Sequence, residues 1–159
     1  MTDLAKGNEK HLKDATAAVI GKDLENLYEE LGMRSNAIST DLTRMGDPVL
    51  SVDYDGKLMG PLTEIADLGR QIAKRWIKEL QHIACGNEAD DKNDREKLQS
   101  LFGLTGSDLA TALTAFLVST FFVASPIAAV IGAIVVKRLG ASAMDEFCKK
   151  SADWIKQMG

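Results

Sequence analysis

Between Asp108 and Lys137 the chain runs from Leu109 to Val136, 28 residues, without a single charge. As one helix this stretch would be about 42 Å long at 1.5 Å per residue. About 20 apolar residues are enough to cross the roughly 30 Å hydrocarbon core of a bilayer. The stretch therefore needs either lipid around it or a coat of protein on every side. Pro126 sits near its middle, where a proline inside a water-facing helix costs about 3 kcal/mol and kinks or splits it. Membrane helices tolerate proline, and the two halves are too short to cross separately. One kinked span from Leu109 to Val136 is the expectation. Ala124, Ala128 and Gly132 recur every fourth residue and form a small-residue row that admits a close helix neighbour.

Charge is distributed unevenly around this segment. Residues 1–60 hold 7 basic and 11 acidic side chains, residues 61–108 hold 7 and 9, and residues 109–159 hold 5 and 3. The only basic surplus follows the apolar stretch, beginning with Lys137 and Arg138, where positive residues anchor a membrane helix on the cytoplasmic side. With a net charge of −4 and no basic patch evident along the chain, nucleic acid is not an expected partner. The polar start, MTDLAKGNEKHLKD, has no apolar signal core, so synthesis and residence in the cytosol are expected. Two cysteines, Cys85 and Cys148, read as free thiols in a reducing compartment, pairing only if the fold joins two helix ends.

Periodicity places the other elements. Leu12, Ala15, Val19, Leu24, Leu27 and Leu31 predict a helix over 9–31, weakened at Gly21 and stopped by Gly32. A short helix over 35–45 follows, capped by Ser35 and ended by Gly46. Val49 to Met59, with Asp55-Gly56 at its centre, predicts a small β-hairpin. Pro61 opens a long amphipathic helix carrying Leu62, Ile65, Leu68, Ile72, Trp76, Leu80 and Ile83, and Gly86 closes it. A short helix over 94–102 follows an acidic loop. A last helix runs from Ser142 to about Gln157. The expected fold is mainly α: a five- to six-helix bundle around one long apolar central helix, with a small β-hairpin insertion, as a single domain over 1–159.

Catalytic signals are sparse. Arg75 and His82 share a helix face, and their spacing resembles the loose R-x4-6-H pattern of helical HEPN ribonucleases at those two residues alone. That resemblance implies a dimer bringing two Arg–His pairs to a phosphate. Trp76 stands where the family often has a polar residue, and a solvated helix face is the stronger reading. His82 with Cys85 supplies only two of the four ligands that structural zinc needs. Asp53, Asp55 and Gly56 begin like a calcium loop, but Leu62 occupies the position of the bidentate Glu. No catalytic residue, metal or cofactor is assigned.

The function expected from these features is non-enzymatic. The apolar helix anchors in, inserts into or perturbs a membrane from its cytoplasmic face, contacting lipid or packing against a second copy. Phe116, Phe121, Phe122, Val130, Ile131 and Ile134 are the expected lipid or core contacts. Ala124, Ala128 and Gly132 form the packing row, and Lys137 and Arg138 the interfacial anchor. The alternative is a soluble helical interaction module that keeps the apolar helix as its core and meets a protein partner through its exposed acidic faces, at the hairpin or the 87–94 loop.

Overall fold

The computed structural model describes residues 13–46, 52, 54–86, 88–104, 106–139 and 144–157. They form a helical bundle, and no β-strand occurs among them. Its helices are α1 (residues 13–20), α2 (Leu24–Thr40), α3 (Gly56–Met59), α4 (Leu62–Cys85), α5 (Lys92–Leu101), α6 (Gly106–Phe121), α7 (Ser125–Leu139) and α8 (Met144–Gln157). The single helix expected over 9–31 is instead broken at residues 21–23, where Gly21 weakens it. There Asp23 caps α2, its carboxylate accepting from the Asn26 backbone N–H at 2.8 Å. Gly32 does not stop the helix, so the predicted second helix merges into α2 and only a 3-10 turn, Leu42–Gly46, follows.

Gly32 serves close packing instead. A Cβ at Gly32 would overlap the Ile65 carbonyl, and a Cβ at Gly69 would overlap the Tyr28 carbonyl. These two glycines let antiparallel α2 and α4 touch backbone to backbone. The same closeness shifts the buried face of α4. Ala66, Gly69 and Ala73 lie at its centre with Ile65, Ile77, Leu80 and Ile83, while Leu62 is exposed and Leu68, Ile72 and Trp76 are only half-buried. Large residues were the expected seam; small ones fill it because the backbones leave no room for more.

The β-hairpin is not formed by the described part of 49–59. Asp55 caps a single helical turn, accepting from Lys57 N–H at 3.0 Å, and Gly56 is that turn's first residue. Asp has a strong capping preference as well as a turn preference, and here capping wins. Residues 49–51 and 53 lie outside the described residues.

The apolar stretch is not one kinked helix. It is an antiparallel helical hairpin, α6 and α7, with residues 122–124 as the turn. Pro126 explains the position of the break. In a continuous helix its ring would collide with the carbonyl of Phe122, four residues earlier. Phe122 is the residue that leaves the helix, in the left-handed region at φ 57°. Ala124 then restarts the chain, its carbonyl accepting from Ile127 and Ala128. At about 24 and 22 Å, the two helices are short. Among the described residues no helix is long and apolar enough to cross a membrane, which overturns the anchoring and insertion reading.

Protein takes the place of lipid. Helix α7 lies in the middle, packed by α6, α2, α4, α8 and the 3-10 turn. Val130, Ile131 and Ile134 are fully buried, each contributing about 1.5–3 kcal/mol of apolar burial. Gly132 admits the Ala110 carbonyl and the Thr114 hydroxyl of α6. That hydroxyl donates to the Ala110 carbonyl at 2.7 Å. Helix α8 closes the bundle with Phe147 and Trp154, both buried, Phe147 against Phe102 at 4.7 Å between ring centres.

Cys85, the last residue of α4, forms a disulfide with Cys148 of α8, with their Cα atoms 5.9 Å apart. The expectation of free thiols is therefore corrected: the fold does bring a helix end to a neighbouring helix.

The turn at Phe122 yields a stability prediction. This side chain is 86% exposed, so little burial offsets its left-handed backbone. Replacing Phe122 with Gly should stabilise the protein by about 0.5–1 kcal/mol, the strain relieved minus the added unfolded-state entropy. A raised urea midpoint with an unchanged slope is the expected result. A lowered midpoint would show that the ring holds the turn.

Candidate functional site

Helix α4 carries a row of cations that begins beside α2 at Arg70. Arg70, Lys74 and Lys78 recur at four-residue steps, and Arg75 adds a fourth cation beside them. Like charges four apart on a helix repel by a few tenths of a kcal/mol per pair. Arg70 is neutralised locally: it donates to Glu25 of α2 at 2.7 Å and to Asp67 at 2.6 Å. The Glu25 carboxylate accordingly raises its pKa above the usual guanidinium value. Lys74, Arg75 and Lys78 have no ion-pair partner among the described residues, and Arg75 lies over its neighbour Trp76 at 5.1 Å.

Next to this ridge a cleft of about 630 Å³ opens where α2, α4, α7 and α8 converge. Its walls are Leu24 and Tyr28 from α2, Arg70, Gln71 and Lys74 from α4, Arg138 from α7, and Trp154 and Gln157 from α8. Tyr28 and Trp154 are largely buried, each with an Arg against its ring: Arg70 at 5.3 Å and Arg138 at 5.9 Å. Burial raises the Tyr28 pKa above that of an ordinary phenol, with Arg138, Arg70 and a hydrogen bond from Trp154 opposing the shift. Arg138 donates to the Gln157 amide oxygen at 2.8 Å. Among the described residues no acidic side chain lines the cleft, and Glu25 lies beyond Arg70.

A different cluster lies at the C-terminal end of α4. His82 Nε2 is 3.7 Å from a Glu88 oxygen and 3.8 Å from an Asp91 oxygen. Their ligand atoms lie within 4.8 Å of one another, the one such group among the described residues. One imidazole and two carboxylates suit zinc or a similar divalent ion. Arg95 shapes the segment by donating to the carbonyls of Ile83 and Glu88 at 3.0 and 2.9 Å. All three side chains reach solvent. Cys85, the other ligand weighed in the sequence, is spent in the disulfide.

The residues named from the sequence divide as follows. Phe116, Val130, Ile131 and Ile134 are interior; Phe121 is half-buried against Trp76 and Phe116; Phe122 points to solvent. Ala128 and Gly132 face α6, and Ala124 is in the turn. Lys137 is exposed, and Arg138 belongs to the cleft. Arg75 and His82 are not brought together: one covers Trp76 and the other faces carboxylates. Sequence reading missed Lys74, Lys78 and the cleft. The four-residue recurrence Arg70, Lys74, Lys78 was the available signal for the ridge. No protein-family model, curated protein or solved structure matches the chain.

Proposed function

We propose that this protein is a non-enzymatic helical docking module that binds an acidic segment of a protein partner along α4. The observation that carries the reading is the row Lys74, Arg75 and Lys78 on the outer face of α4, three cations with Glu79 alone beside them and no ion-pair partner among the described residues. The overall −4 charge does not prevent this. The screening length is about 8 Å at physiological salt, so a partner on α4 meets the local charge. The mutual repulsion of the row is relieved when carboxylates sit among it.

The test is binding of a short fluorescent peptide rich in Glu and Asp, followed by anisotropy. Arg75→Glu with Lys78→Glu should weaken it about 10-fold or more, as for loss of two charge-assisted contacts. Both sites are exposed, so the fold should change by no more than about 0.5 kcal/mol. Equal affinity of the double variant and the native chain would refute docking on α4.

A further inference from the structure

We infer that the cleft between α2, α4, α7 and α8 is a binding site for a small organic anion, with a phosphate-ester or carboxylate head and a flat apolar body. It shares Lys74 with the docking row on α4 and differs from it in Arg138 and the aromatic wall.

Size is the first ground. A cleft of about 630 Å³ falls within the range of small-molecule sites, about 300–1,000 Å³. Charge is the second. Arg70 is already met by Glu25 and Asp67, but Lys74 and Arg138 face the cleft without a carboxylate among the described residues. Helices α7 and α8 both end here, and each contributes about −0.5 of an elementary charge. Lys74 and Arg138 bring two full positive charges to the cleft wall itself, where a ligand meets them directly, while Glu25 and Asp67 are engaged with Arg70. Among the described residues Arg138 gives one N–H group to Gln157, and its guanidinium has further N–H groups for a fork-like contact to an oxyanion. Shape is the third. Leu24, Tyr28 and Trp154 give the cleft its apolar part, and Gln71 and Gln157 line it as well. Such a site pairs a planar body with one charged head.

Calorimetric titration with phenyl phosphate, benzoate, inorganic phosphate and phenol tests this on the full chain. Phenyl phosphate or benzoate should bind saturably, and whichever is tighter identifies the head group. Phenol, lacking the charge, should bind at least about 10-fold more weakly. Arg138→Gln and Lys74→Gln should each weaken the better anion about 10-fold, while Arg75→Glu with Lys78→Glu changes it less than about 2-fold. Absence of saturable binding by both anions, or native affinity in both Gln variants, overturns the assignment. So does an equal loss in the Arg75/Lys78 variant, which would place the anion on the outer row. Arg138→Gln, which lies outside the row, separates the two sites: it should weaken the anion and leave acidic-peptide binding within about 2-fold.

Discussion

Replacing Arg34 with Met should destabilise the protein by about 3–5 kcal/mol, measured by urea unfolding. Arg34 is 3% exposed, and its Nε donates to Glu30 at 2.9 Å. Its Nη1 donates to the Pro126 carbonyl, at the start of α7, at 2.8 Å. Removing the guanidinium leaves a buried carboxylate helped only by Lys22, 3.7 Å away and half in water. Replacing both partners, Glu30→Leu with Arg34→Met, should recover most of the loss, because an apolar pair of similar volume needs no counter-charge. If Arg34→Met alone costs less than about 1 kcal/mol, the pair is solvated and α2 holds α7 by apolar packing.

Loss of the Cys85–Cys148 disulfide should have an effect of similar size. The bridge closes a loop with a sequence separation of 63. Chain entropy for a loop of that length corresponds to about 4 kcal/mol at 25 °C. Cys85→Ser with Cys148→Ser should therefore lower the unfolding free energy by roughly that amount. The native chain in excess reductant should match the double variant. A loss below about 1 kcal/mol would mean that Phe147 and Trp154 keep α8 seated without the bridge.

Much of the helical framework is legible in the residues. Pro61 and Gly86 mark helix boundaries by chemistry that acts within a few residues, and the structure uses both; Asp23, which caps α2, lies inside the longer helix that periodicity predicts. What is not legible depends on neighbours distant in the chain. Gly32 has the composition of a stop, and only the proximity of Ile65 shows why it lies inside a helix. Glu30 and Arg34, four apart, have the spacing of an exposed pair; their burial is set by Pro126, 92 residues beyond Arg34. The apolar stretch satisfies the composition rule for a membrane span and also for a core hairpin. Pro126 separates the two outcomes only once Phe122 is seen to leave the helix. The cleft draws on four helices, so no local window of sequence contains it.

The order of the elements also bears on how the chain reaches this fold. Helices emerge from N to C during synthesis, at about 5–20 residues per second. The elements that cover α7 on one side, α2 and α4, precede it, and their glycine-lined contact can form without it. The hairpin α6–α7 is local, with a three-residue turn, and closes fast once both arms are free. Its apolar surface therefore meets a waiting antiparallel pair, which shortens the time in which 28 uncharged residues could associate with other chains. Helix α8 arrives last, and oxidation of Cys148 with Cys85 then fastens an assembled bundle. A circular permutant that places α6 and α7 ahead of α2 would lose that protection and aggregate during expression, although its folded contacts would be the same.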